Sequence, residues 1–219
     1  TAVAGTVGWK EISIQPEVSD GNLTEYDIIF EPADTDNYNA AAGKVKLQSV
    51  EKKAVTVSIK NTDKIYGDDN PVFALEIPDK TLAGDDTAED LAVTFACAAD
   101  ITTAAGSTVD ITGTSSSQNY DVTVKNGTLT IKKRTVNIRV KDVTIKYGDA
   151  LPGSYEVEVI NLVEGTDQST LGLTADIEPQ NVPDGNLSGT YTLNIKSASV
   201  TDTNYAVGSL FAGTLTITE

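Results

Sequence analysis

Carboxylates are the residues of this chain best supplied for chemistry. Thirty-two Asp and Glu face sixteen Lys and Arg, a formal net charge of −16. They gather at Asp34-Thr35-Asp36-Asn37, Gly67-Asp68-Asp69-Asn70 and Gly84-Asp85-Asp86. Such oxygen-rich clusters suit Ca²⁺, which takes six to eight oxygen ligands. None follows the EF-hand spacing, in which an Asp-x-Asp-x-Asp-Gly run closes on a Glu. Asp and Asn are also the ordinary residues of turns. The clusters are therefore read as turns, and no metal ligand is assigned. A glycosidase-type pair of carboxylates needs a cleft to face across, which small modules rarely offer.

Other mechanisms lack their parts. The chain has no His and no Met. Without His there is no Ser-His-Asp triad, no Cys-His pair and no imidazole ligand. Ser115-Ser116-Ser117 has no base to activate it and reads as a loop. Cys97 is the single cysteine, so it closes no intrachain disulfide, and within Val93-Thr94-Phe95-Ala96-Cys97 it is expected to be a small core residue. Asn22-Leu23-Thr24, Asn126-Gly127-Thr128 and Asn186-Leu187-Ser188 fit the glycosylation sequon, a short match to which no role is assigned. A Lys–Asn isopeptide bond would need a buried Lys that the sequence does not single out. No catalytic residue and no cofactor site are assigned, and an enzyme is not expected.

What must position these residues is a repeat. Lys64-Ile65-Tyr66-Gly67-Asp68 returns as Ile145-Lys146-Tyr147-Gly148-Asp149, with Tyr66 and Tyr147 81 positions apart. Val55, Val57 and Ile59 alternate before the first, and Val136, Ile138 and Val140 before the second. Period-two alternation of branched residues marks half-buried strands. Asn119-Tyr120 returns as Asn204-Tyr205, 85 apart, and Gly127-Thr128-Leu129-Thr130-Ile131 as Gly213-Thr214-Leu215-Thr216-Ile217, 86 apart. The growing offset places a short insertion in a loop of the second copy. The first fifty residues carry a headless third tail: Tyr26-Asp27-Ile28-Ile29-Phe30, Asn37-Tyr38 and Gly43-Lys44-Val45-Lys46-Leu47.

Seven of eight tyrosines, all but Tyr155, fall on these landmarks. An Asn-Tyr ahead of a strand suits a ring that is buried while its hydroxyl bonds nearby backbone, as in the tyrosine corner of immunoglobulin-like sandwiches. An exposed aromatic strip for sugar is the competing reading, with Tyr66, Tyr147 and Tyr155 its best members. Asn126-Gly127 predicts a tight hairpin between Val122-Thr123-Val124 and Leu129-Thr130-Ile131. Phe73–Ile77 and Tyr155–Val159 predict further strands, and Thr87–Leu91 and Asp167–Leu171 a single helical turn each. Trp9 is expected to anchor the core of the opening segment. The fold class expected is mainly β: small antiparallel modules in tandem, either an Ig-like sandwich or a β-grasp-like variant with one short helical turn.

An alternating strand, Tyr-Gly-Asp with Pro soon after, Asn-Tyr and a Gly-Thr-Leu-Thr-Ile strand ending in Lys-Lys together resemble the YGX-type MBG repeats of bacterial extracellular and adhesin-like proteins. The resemblance spans 54–134 and 135–219. Residues 1–53, with Gly5-Thr6-Val7-Gly8-Trp9-Lys10, resemble the later part of a bacterial Ig-like repeat. The resemblance implies an extracellular, surface-attached or secreted stalk of an adhesin-like protein, with direct binding of a host glycan or protein as the alternative. Basic junctions at Glu51-Lys52-Lys53 and Lys132-Lys133-Arg134 leave little linker. Modules of this size have radii of gyration of roughly 12 Å, so an elongated rod of about 90 Å is expected. The net negative charge disfavours nucleic acid, and no apolar run is long enough to span a membrane. The chain has no initiator Met or signal-like start and reads as a mature or excised monomeric fragment. The partners implied are neighbouring repeats and, in the alternative, the host ligand.

Overall fold

The computed structural model describes residues 2–20 and 24–219, so Asn22 and Leu23 of the first sequon lie outside the described residues. The fold is mainly β. Ahead of the repeats run β1 (Gly5–Trp9), β2 (Glu25–Pro32) and β3 (Ala41–Lys46). The first copy carries β4 (Lys53–Ile59), β5 (Thr62–Ile65), β6 (Leu75–Glu76), β7 (Val93–Cys97), β8 (Thr108–Ser115), β9 (Tyr120–Lys125) and β10 (Gly127–Lys132). The second carries β11 (Arg134–Val140), β12 (Val143–Lys146), β13 (Val157–Ile160), β14 (Thr174–Pro179), β15 (Gly189–Ser199), β16 (Tyr205–Phe211) and β17 (Gly213–Thr218). Among the described residues the only helical pieces are 3-10 turns, and no helix is long and apolar enough to cross a membrane.

The chain forms two compact units. One holds the chain up to Asn61 with Phe73–Cys97 and Asp110–Thr128; the other holds Thr62–Val72, Ala98–Val109 and Leu129–Glu219. In the first unit, β1, β2 and β3 form an antiparallel sheet, β4 lies between β6 and β9, and β7 pairs with β8. In the second, β5 pairs with β10, β11 lies between β13 and β16, and β12, β17, β15 and β14 form a four-stranded sheet.

The two copies repeat one another in register. Lys53 faces Tyr120 and Arg134 faces Tyr205; Thr62 faces Leu129 and Val143 faces Leu215; Val93 faces Ser115 and Thr174 faces Ser199. The headless tail shares part of this pattern, since Tyr26 faces Val45 as Tyr191 faces Leu215. The sheets are mixed where antiparallel pairing was expected. β4–β9, β5–β10, β11–β16 and β12–β17 are all parallel.

That pairing overturns the hairpin at Asn126-Gly127. β9 runs beside β4, and β10 leaves it for β5. Neither Asn126 nor Gly127 has the positive φ that a tight hairpin demands. Glycine is required here for space: a Cβ on Gly127 would lie 2.6 Å from the Ile59 carbonyl oxygen, and one on Gly213 2.6 Å from that of Val140. The chain steps across at these glycines, tethered by Thr128 N–H to Asn61 Oδ1 at 2.9 Å and by Thr214 N–H to Asp142 Oδ1 at 2.8 Å.

Alternation delivers the cores. Val55, Val57 and Ile59 of β4 are buried, as are Val136, Ile138 and Val140 of β11. The helical turns are found at Ala88–Leu91 and Gln168–Leu171. Thr87 and Asp90 form a capping box at the first, and Asp167 accepts the Ser169 N–H at the second. Each turn drives one leucine inward: Leu91 and Leu171 are fully buried, which stabilises by roughly 1.5–3 kcal/mol apiece. The strands expected at Phe73–Ile77 and Tyr155–Val159 shorten to Leu75–Glu76 and Val157–Ile160.

Candidate functional site

Each repeat is built around its Asn-Tyr pair. β4 and β11 start beside it, with Lys53 N–H donating to Asn119 O and Arg134 N–H to Asn204 O, both at 2.9 Å. The Tyr120 ring packs with Val55 and Leu91, and the Tyr205 ring with Val136 and Leu171. The Tyr120 hydroxyl donates to the Asp86 carboxylate at 2.6 Å and accepts the Ala83 N–H at 2.8 Å. Burial pushes the Tyr120 phenol above its usual range, and the Asp86 hydrogen bond adds to it. Tyr205 Oη lies 3.4 Å from Thr166 Oγ1. The Gly84-Asp85-Asp86 turn therefore serves a buried tyrosine.

The asparagine of each pair faces outward, to chain that precedes its own copy. Asn119 Oδ1 accepts the Val18 N–H at 3.1 Å, and Asn204 Oδ1 accepts the Ala105 N–H at 2.9 Å. At the first junction Gln15 lies against Gly84, where a Cβ would be 1.5 Å from the Gln15 amide nitrogen. Lys52 Nζ donates to Ser117 O at 2.7 Å. A cleft of about 580 Å³ remains there, lined by Gln15, Glu17, Glu51, Asp86, Asn119 and Tyr120 among others.

The second junction is denser. The Tyr66 ring meets the Tyr205 ring edge-on at 5.5 Å. Gly67, at φ +85°, lies so close to Val163 that a Cβ would be 2.2 Å from its methyl. Arg134, at the head of β11, ties the contact: Nε donates to Tyr66 O at 2.8 Å, one Nη to Asn161 Oδ1 at 3.2 Å, and the other pairs with Asp68. Asn161 in turn donates to Thr135 O at 2.8 Å. The Tyr66-Gly67-Asp68 turn of one copy is thus seated in the Asn-Tyr region of the next. Burial pushes the Tyr66 phenol up, aided by Tyr205 and the charge of Asp202.

The remaining sequence candidates do local structural work. Asp34 accepts the Asn37 N–H and side-chain N–H groups within its own turn. Ser115 and Ser117 donate to Leu91 O and Asp90 O at 2.6 and 2.7 Å, pinning the helical turn. Lys64 is the buried lysine, but its Nζ reaches the backbone carbonyls of Asp68 and Asp100, at 3.1 and 2.7 Å. Among the described residues no group of three or more His, Cys, Asp or Glu is arranged to hold a metal ion.

Some expectations for individual residues need correction. Cys97 and Trp9 are only half-buried, Trp9 packing on Tyr26 at 5.6 Å. The landmark tyrosines do not behave alike: Tyr26, Tyr120 and Tyr205 are buried, whereas Tyr38 and Tyr147 are 48% and 59% exposed. Tyr38 follows a turn instead of opening a strand beside a β4 counterpart, so its ring has no core to enter. Tyr155 is half-buried, and its hydroxyl has no partner among the described residues.

Sequence reasoning missed the asparagines and Arg134. The available signal was the return of Asn, not Tyr alone, at 119 and 204, and a basic residue opening each first strand.

No curated protein matches the chain. The chain has a distant likeness to the crystal structure of Drosophila N-cadherin EC1-4, with a TM-score of 0.23 and 8% identity, covering 89% of this chain. It spans 58% of the length of that one. The MBG domain (YGX type) family matches residues 55–130, the stretch that runs from the first buried valine of β4 through Tyr66-Gly67-Asp68 and Asn119-Tyr120 into β10.

Proposed function

We propose that the chain is a non-catalytic structural segment of a bacterial extracellular protein, serving as the stalk of an adhesin-like molecule. The observation that supports this is the junction. Both Asn-Tyr pairs receive a backbone N–H from preceding chain, and the junction residues Lys52 and Arg134 are themselves bonded. Modules joined by such contacts have no flexible linker between them, and a spacer that must hold a distal group away from a cell needs that stiffness. The net charge of −16 keeps neighbouring copies and the anionic envelope apart.

Direct binding of a host glycan or protein is the second reading, favoured by the exposed ring of Tyr147. Antibodies raised to the chain, applied to intact source cells, test the first reading. Surface staining without permeabilisation is expected; staining only after lysis overturns it. Binding of the isolated chain to a glycan array, abolished by Tyr147→Ala, would establish the second reading in its place.

A further inference from the structure

The second copy carries a docking face that the first copy shows how to fill. Tyr66-Gly67-Asp68 and Tyr147-Gly148-Asp149 are the same turn: Gly67 and Gly148 have φ of +85° and +87°, and Asp68 and Asp149 N–H groups bond Ile65 O and Lys146 O at 3.0 and 3.1 Å. Tyr66 N–H bonds Lys132 O at 2.8 Å, and Tyr147 N–H bonds Thr218 O at 2.7 Å. Their surroundings differ. Val163, Tyr205 and Arg134 cover the first turn, whereas a Cβ on Gly148 would meet none of the described residues within 4 Å and Tyr147 is 59% exposed. Leu187, 49% exposed, adjoins it, since Asn186 bonds Asp149 O at 3.0 Å.

We propose that the face formed by Tyr147, Gly148, Asp149 and Leu187 is a docking surface for another module of the YGX type, one that begins with arginine and carries its own Asn-Tyr pair. The arginine pairs with Asp149 and bonds Tyr147 O, as Arg134 does with Asp68 and Tyr66. The incoming tyrosine takes the Tyr147 ring edge-on. The inference rests on the repeat reading of the chain, but not on its place outside the cell.

The test appends a second copy of Arg134–Glu219 directly after Glu219. Thr218 and Glu219 then stand before the new arginine as Lys132 and Lys133 stand before Arg134. Chemical nitration read by mass spectrometry reports the accessibility of Tyr147. In the 219-residue chain Tyr147 is expected to react readily and Tyr66 slowly. In the extended chain Tyr147 is expected to become protected by roughly tenfold, and Arg134→Ala in the appended copy alone to restore its reactivity. A second extended chain, with a long Gly-Ser spacer before the added copy, separates docking from folding. Amide exchange of the added copy's Leu215 shows in both chains that it has folded. Protection of Tyr147 in the direct fusion sustains the proposal. A Tyr147 that stays fully reactive in both chains beside a folded copy overturns it, and leaves the surface-stalk reading to stand or fall on cell staining.

Discussion

The side-chain oxygen of Asn204 accepts the backbone N–H of Ala105, 99 residues earlier, at 2.9 Å. Asn119 does the same for Val18 across 101 residues at 3.1 Å. The Asn-Tyr pair therefore divides its labour. The tyrosine closes the core of its own copy, and the asparagine holds chain that came before.

Removing that acceptor leaves a part-buried N–H without a partner, at a cost of about 1–2 kcal/mol. Asn204→Ala is expected to lower stability by that amount and to speed amide exchange at Ala105. Asn204→Asp keeps an acceptor oxygen and should retain most of the protection. Unchanged exchange at Ala105 in the alanine variant would dismiss the clamp.

Gly127 and Gly213 occupy the points where the chain crosses between sheets. A methyl at either would press on the backbone carbonyl of Ile59 or Val140 at 2.6 Å. Backbone cannot swing aside as a side-chain tip can. Each Gly→Ala change is expected to destabilise by about 1–3 kcal/mol, the usual range for overpacking. Denaturant midpoints measure it, and a neutral Gly213→Ala would show that the crossing is slack.

Strand positions and cores were legible because alternation is local: Val55, Val57 and Ile59 announce a buried face without any knowledge of partners. The helical turns were legible for the same reason, from Thr87 and Asp167 at their starts. Asn126-Gly127 misled because its local chemistry favours a hairpin while β9 and β10 gain more by pairing with different strands. Tyr66 and Tyr147 could not be told apart, since the same turn is covered in one copy and bare in the other. The difference lies in Val163, Tyr205 and Arg134, all more than sixty residues from the first turn and absent from the local pattern of either. Cys97 lies on the strand that its sequence predicts, but alternation does not say how completely a face is covered.

Ala92 ends the first helical turn at φ +44°, where the second copy has Gly172 at φ +58°. A left-handed backbone strains any residue with a Cβ. Ala92→Gly is expected to stabilise by about 0.5–1 kcal/mol, the relief exceeding glycine's extra freedom when unfolded. Gly172→Ala should destabilise by more, because its Cβ would also lie 2.0 Å from Thr201 Oγ1. Thermal unfolding of the two variants reads opposite signs; a loss of stability in Ala92→Gly would refute the strain.

Alkaline pH should loosen the opening segment through Tyr26. Burial pushes its phenol up to about 12, with the hydrogen bond it donates to Asp20 and the charges of Asp20 and Glu17 adding to the effect. The folded chain therefore keeps this proton after the unfolded chain has lost its own. Below pH 10, the ordinary tyrosine value, the stabilisation is complete; it is lost as pH rises from there to about 12. Tyr66, Tyr120 and Tyr155 are raised too, by burial first in each case, and steepen the same decline. Tyr26→Phe removes one ionising group from this window, so its denaturant midpoint should fall less steeply with pH than that of the natural chain. Asp20 acts at the other end: the Tyr26 hydrogen bond holds its carboxyl below 3.8, so its contribution is present above that pH and is lost as acid protonates it in the fold. Tyr26→Phe should flatten this acid limb as well. A variant with both limbs unchanged would show that the Tyr26–Asp20 bond carries no stability.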